Sequence, residues 1–221
     1  MIKAVIFDCD GLMFNTEYYA KQIWHNEAAK YGITLPEDFN VRITGASGPD
    51  VIKYIESIPG LKEVRPIISA KRFDLDYWTS MGTDFLNKKG LIELFRYLRD
   101  HGFKTAICSS SGTDYLKALL STVSEPLNYD AMIGGNMVTN GKPDPEIFLK
   151  GAECLETDPA ECLVLEDSKN GIIAAQRAGM HSCFIKDLIE PDEEMEQAIE
   201  FRRDDLSQVI GLIEEMNGDE E

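Results

Sequence analysis

Short, nearly unbroken apolar runs alternate with helix-period segments along much of the chain. KAVIFD near the start, FKTAICS, AMIGG, CLVLED and HSCFI are too short for helices and carry few polar residues to face water. Such runs are strands covered on both faces, the usual state of a parallel sheet. Between the last four lie TDYLKALLSTV, DPEIFLKGAECLE and SKNGIIAAQRAG, each with helical spacing of its apolar positions. Asp144 opens the second of these with Pro145 at its first position, and Gly179 closes the third. Strands alternating with helices predict an α/β fold, a Rossmann-like doubly wound parallel sheet with right-handed crossovers, with KAVIFD at its centre.

The pattern changes after Asn15. TEYYAKQIWHNEAAKYG reads as an amphipathic helix with Thr16 as N-cap and Gly32 as its stop, PDVIKYIESI as a second helix, and VRPIISAKRFDLDYWTSM as further helix. No strand is expected there, and LIELFRYLRDHG leads back to the sheet. The predicted organisation is therefore a core made of residues 1–15 and 88–221, with an inserted all-helical cap of residues 16–87.

Composition narrows the functional classes. The formal net charge of −17 excludes a basic footprint for nucleic acid, so an anionic substrate needs cations gathered locally. Much of the negative excess lies in PDEEMEQAIE and NGDEE, read as a solvated helix face and a frayed tail. The cysteines at 9, 108, 154, 162 and 183 are scattered, without a CxxC pair, and read as buried reduced thiols rather than a disulfide frame or zinc site. No apolar run is long enough to span a bilayer, and Asp8 and Asp10 interrupt the first one too early for a secretory leader, so a cytoplasmic protein without membrane contact is expected.

Ligands of open parallel sheets bind at the carboxyl ends of the strands. The expected ends carry Asp8-Cys9-Asp10-Gly11, Ser109-Ser110-Ser111-Gly112, a loop after AMIGG that reaches Lys142, and Glu166-Asp167-Ser168. Carboxylates, hydroxyls and one lysine thus converge on one edge. Hard carboxylate oxygens suit Mg²⁺, and a carboxylate can attack phosphorus only where cations offset its charge.

DxDG, a serine at a strand end, GKPDP and ED-S-xxG, in this order, resemble the motifs of the haloacid dehalogenase-like superfamily of phosphotransferases, over essentially the whole chain. The helical insert resembles the branch containing β-phosphoglucomutase and small-metabolite phosphatases. The resemblance implies Asp8 as nucleophile, Asp10 as general acid and base, and Mg²⁺ held by Asp8, the main-chain carbonyl of Asp10, and Asp167. Glu166 is either a further ligand or a neighbour that orients the others. It also implies Lys142 as the balancing cation and Ser109 as a donor to the phosphoryl oxygens. Superfamily dehalogenases lack the acid position, so Asp10 points to phosphoryl chemistry.

Gly11, Thr16, Arg42, Thr44, Ser47, Ser110 and Ser111 are the candidate substrate contacts. The glycine-bearing RITGASGPD resembles a cap loop reaching the active site. Alternative roles stay open for several: helix caps for Thr16, Asp144 and one of Ser110 and Ser111, a surface ion pair for Arg42, and a solvated face for Lys71 and Arg72. The expected activity is Mg²⁺-dependent hydrolysis of a small phosphorylated metabolite by a monomer. A β-phosphoglucomutase-type mutase is the alternative, and a binding module without turnover the reading from another class. The mutase pattern carries a histidine in the hinge helix. NTEYYAKQ has none before His25, and Asn15 stands where many relatives have aspartate.

Overall fold

Ala4–Phe7 of the first apolar run are all buried, because helices pack on both faces of the sheet they centre. The computed structural model describes residues 1–43 and 48–218. Its strands are β1 (Ala4–Phe7), β2 (Lys104–Ser109), β3 (Ala131–Gly134), β4 (Cys162–Glu166), β5 (His181–Ile185) and β6 (Phe201–Arg203), all parallel, in the order β3-β2-β1-β4-β5-β6. The order turns back at β1, which pairs with both β2 and β4, so the crevice between their carboxyl ends is the position where such sheets bind ligands.

The helices are α1 (Thr16–Lys30), α2 (Phe39–Ile43), α3 (Gly48–Ser57), α4 (Leu61–Arg72), α5 (Leu75–Thr79), α6 (Leu91–Asp100), α7 (Thr113–Leu120), α8 (Glu146–Cys154), α9 (Lys169–Arg177), α10 (Glu193–Ala198) and α11 (Val209–Gly218). Alternate β1 residues feed different clusters. Val5 and Phe7 pack with Leu94 and Phe95 of α6 and with Ile213 of α11. Ala4 and Ile6 pack with Phe148 of α8 and Ala174 of α9. The Phe7 and Phe95 rings stack at 4.4 Å. Full burial of one such side chain contributes about 1.5–3 kcal/mol.

From α1 to α5 the described residues form helices only, inserted between β1 and α6. Two short linkers join this insert to the sheet and run side by side: Asn15 N–H donates to Leu86 O (2.8 Å) and Lys88 N–H to Met13 O (2.9 Å). Ile23, Trp24, Phe39, Leu61, Ile68 and Trp78 form the interior of the insert. No described helix is long and apolar enough to cross a membrane.

Several details depart from the sequence reading. Thr16 is the first residue of α1 and not its cap. The N-cap is Asn15, without a side-chain cap bond, and the Thr16 hydroxyl is given to Asp10 instead. Arg42 lies on the short α2. The acidic PDEEMEQAIE segment is not solvated throughout: Met195 and Ala198 of α10 are buried against Phe184. β6 was not expected, since two of its residues are arginines and it lies at the sheet edge, where charged strands blunt further pairing. Four cysteines are buried thiols, whereas Cys154 is exposed.

Candidate active site

β1 delivers Asp8 one residue beyond its end, and β4 delivers Glu166 at its end and Asp167 just after. Because β1 and β4 are paired with Phe7 opposite Leu165, these carboxylates meet across the crevice. Oxygens of Asp8, Glu166 and Asp167 all lie within 4.8 Å of one another, and all three residues are buried. They line a cavity of about 300 Å³ with Asp10, Ser109, Ser110, Ser111 and Lys142. Glu17 and Asp187 add carboxylates to it, and Ile43, Leu188 and Ile189 give it an apolar side.

Lys142 enters from the loop before α8, and its ammonium places all three of its donors. It donates to Asp8 Oδ1 (2.5 Å), Glu166 Oε1 (2.7 Å) and Cys108 O (3.1 Å). It also lies 4.7 Å from the Phe148 ring centroid. Burial alone would push this lysine toward neutrality, but the two carboxylates hold its pKa above the ordinary lysine value, so it stays charged.

Glu166 has both oxygens engaged: Oε1 by Lys142, and Oε2 by the Ser168 N–H (2.8 Å) and hydroxyl (2.9 Å). The Ser168 hydroxyl in turn accepts from Gly171 N–H and caps α9. A Cβ on Gly171 would come within 1.8 Å of the Glu166 carboxyl carbon, so only glycine lets the helix start this close. Asp167 accepts no hydrogen bond from any described residue. Burial, and then the negative charges of Glu166, Asp8, Asp187 and Glu17, raise its pKa well above the ordinary carboxylate range. Burial likewise pushes Asp8 up to about 7, against the lowering effect of Lys142.

The buried oxygens of Asp8, Glu166 and Asp167, the last without a hydrogen-bond donor among the described residues, fit a divalent cation such as Mg²⁺. Gly11 makes room for the Asp167 carboxylate. Its φ is +81°, and a Cβ there would stand 2.3 Å from Asp167 Oδ2.

Asp10 is turned away from this cluster into a cage of hydroxyls. Oδ1 accepts from Thr16 (2.6 Å) and from the Tyr115 phenol (3.0 Å), and Oδ2 accepts from Ser111 (2.7 Å). Tyr115 also packs edge-on against Phe73 and Trp78 of the helical insert. Ser109 Oγ accepts from the Ser111 N–H at 3.1 Å. Ser110 lines the cavity, and neither Ser110 nor Ser111 caps α7, whose N-cap is Gly112. Asp144 Oδ1 accepts from Glu146 N–H (3.0 Å) at the start of α8.

The structure thus brings Asp8, Asp10, Gly11, Thr16, Ser109, Ser110, Ser111, Lys142, Glu166 and Asp167 to one place. Arg42 is outside the cavity, exposed, paired with Asp38 (2.6 Å) and 5.1 Å from the Tyr54 ring, and Lys71 pairs with Asp74 at 2.5 Å. Thr44 and Ser47 lie outside the described residues. The sequence reading missed Tyr115, Glu17 and Asp187. Asp187 had a usable signal, since it stands two residues past a parallel strand's carboxyl end. Tyr115 had none, because on α7 it reads as one more apolar position.

Titration of this cluster sets the stability of the metal-free protein. Asp8 binds its proton more tightly folded than unfolded, so its contribution is complete below the ordinary carboxylate pKa and is lost as pH rises toward about 7. Asp167 acts in the same direction. In chelator, denaturant unfolding should show stability falling between about pH 5 and about pH 7. Mg²⁺ should remove the slope, and a metal-free stability that stays flat or rises over this window would contradict the assignment.

A family model described as haloacid dehalogenase-like hydrolase matches residues 5–185. The chain is 30% identical over 188 residues to a phosphorylated carbohydrates phosphatase of Thermotoga maritima, covering 83% of this chain and 84% of the relative. It is 30% identical over 185 residues to a β-phosphoglucomutase of Bacillus subtilis, covering 81% of each. A solved β-phosphoglucomutase structure from Clostridium difficile superposes with a TM-score of 0.72 at 25% identity, over 97% of this chain and 96% of that one.

Proposed function

The chain belongs to the haloacid dehalogenase-like hydrolases, and from that membership and the geometry of its site we propose that it is a Mg²⁺-dependent phosphatase. Its substrate is a small phosphomonoester, a sugar phosphate or a metabolite of similar size, cleaved through an aspartyl-phosphate on Asp8. The observation that carries the proposal is the buried Lys142 bridging Asp8 and Glu166 beside Asp167, whose carboxylate has no donor among the described residues.

When bound, Mg²⁺ would be held by Asp8, Asp167 and the main-chain carbonyl of Asp10, and would neutralise charge on the phosphoryl oxygens and the attacking carboxylate. An Asp8 oxygen forms a bond to phosphorus as the bond from phosphorus to the substrate's leaving oxygen breaks. Asp10, protonated and swung in from its hydroxyl cage, gives its proton to that oxygen. Water then attacks phosphorus, Asp10 takes the water's proton, and the bond between Asp8 and phosphorus breaks to release phosphate. Lys142 keeps Asp8 oriented and offsets its charge, and the Ser109 hydroxyl donates to a phosphoryl oxygen. Glu166 orients Lys142 and the α9 N-terminus.

The cavity lining favours hydrolysis over phosphoryl return to a bound bisphosphate. Among the described residues that line it, Lys142 is the only cation, and it is already paired. The lining instead adds the carboxylates of Glu17 and Asp187, which disfavour a second phosphate. The expectation is that a panel of sugar, nucleotide and glycolytic monophosphates with Mg²⁺ yields free phosphate from at least one, and that β-glucose 1-phosphate with a bisphosphate primer yields no faster glucose 6-phosphate. Isomerisation outpacing phosphate release would overturn the hydrolase reading.

A further inference from the structure

We propose that Asp187 is a further carboxylate of the metal centre, accepting a hydrogen bond from a cation-bound water and so fixing the coordination sphere from the β5 side. The inference rests on the Mg²⁺ reading above. Asp187 follows β5 by two residues, and β5 lies beside β4, so the chain turns over the same sheet edge that presents Asp167.

The two oxygens of Asp187 have different fates. Oδ1 accepts from the Lys88 ammonium at 2.5 Å. Oδ2 is buried and has no hydrogen-bond partner among the described residues, in a side chain only 7% exposed. That orphan oxygen points into the site: it lies 3.1 Å from the position a Cβ on Gly11 would take, and Asp167 Oδ2 lies 2.3 Å from the same position. Two carboxylates therefore converge over the bare Cα of Gly11, with no donor to Asp187 Oδ2 among the described residues.

Buried carboxylates arranged this way repel each other unless something positive or a hydrogen-bond donor stands between them. Asp187 falls outside the group whose oxygens are mutually within 4.8 Å, which places it one layer beyond direct coordination with Asp8. Mg²⁺ keeps several of its waters, and acceptors that orient bound ligands change metal affinity by about 10- to 100-fold. Lys88 completes the device. Its N–H pairs with Met13 O in the linker, and its ammonium fixes Asp187 so that Oδ2 faces inward. A simple ion pair tying the loop to the linker would need only Oδ1 and gives no reason to bury Oδ2 beside Asp167.

The test is calorimetric titration of Mg²⁺ into metal-free wild type, Asp187→Asn and Lys88→Gln, with denaturant unfolding of each in chelator. Asp187→Asn should bind Mg²⁺ about 10- to 100-fold more weakly while its stability in chelator is unchanged or higher. Lys88→Gln retains the carboxylate but frees its orientation, so it should weaken binding in the same direction and less. It decides the matter by the same titration if Asp187→Asn does not fold. Wild-type affinity in both variants overturns the inference, as does lost stability in chelator with affinity intact. Wild type that itself binds no Mg²⁺ overturns the phosphatase reading along with this one, whereas a change confined to the variants leaves that reading standing.

Discussion

Asp8→Asn should lose turnover of every phosphomonoester, by on the order of 10⁴- to 10⁶-fold in kcat, while the protein still folds. The amide is isosteric with the carboxylate but is not a nucleophile. The substitution also lowers the negative charge of a cluster whose own repulsion and burial hold Asp8 up to about 7. In chelator near neutral pH the variant should therefore be at least as stable as wild type, which separates lost chemistry from lost structure. Steady-state phosphate release together with denaturant unfolding checks both halves. Residual activity within about tenfold of wild type would mean that a group other than Asp8 takes the phosphoryl.

Lys142→Met should have the second large effect, and here activity and stability fall together. Removing the ammonium leaves Asp8 and Glu166 facing each other, buried and unpaired. Breaking a buried pair from one side costs about 3–5 kcal/mol, and loss of one preorganised donor costs about 10²- to 10³-fold in kcat. The carboxylates can take up protons instead, so the stability loss in chelator should be smaller near pH 5 than near pH 7, and Mg²⁺ should recover part of it. Equal loss at both values would show that the methionine misfits the space, and that charge is not the cause.

What the sequence revealed, and what it hid, follows from where each residue stands. A sheet buried on both faces writes its strands as unbroken apolar runs, so the polar residues that end KAVIF, TAIC and CLVL stand out and share one edge by topology. Asp8, Ser109, Glu166 and Asp167 were legible for that reason, and Lys142 through its GKPDP setting. Thr16 was legible as a residue but not in its role. A threonine at a helix start reads as a cap, and only the fold reveals the Asp10 carboxylate 2.6 Å from its hydroxyl.

Tyr115 was hidden because a tyrosine at an apolar helical position looks like packing, which its contacts with Phe73 and Trp78 also are. Its phenol reaches Asp10 only across 105 residues of sequence. Arg42 shows the converse: a cation in an apparent cap loop left substrate contact and a surface ion pair both open, and four residues along the chain from Asp38 it pairs locally and stays exposed. β6 and the buried stripe of α10 were obscured by charge, since edge strands and short helices hold few core positions each.

The Asp10 cage gives the mechanism a conformational requirement. Thr16, Ser111 and Tyr115 engage both oxygens of the carboxylate apart from the Asp8, Glu166 and Asp167 group, and two of these belong to the sheet side while the packing around Tyr115 comes from the insert. In the proposed mechanism, movement of the helical insert would release Asp10 toward the leaving oxygen, as closing lids complete sites in other enzymes.

The most direct measurement is a borohydride quench of the enzyme during turnover of a good phosphomonoester with Mg²⁺, followed by peptide mass analysis. An aspartyl-phosphate at residue 8 is reduced to homoserine, so residue 8 alone should convert, only with substrate and Mg²⁺ both present. Sustained phosphate release with Asp8 recovered unmodified would contradict covalent catalysis at this carboxylate.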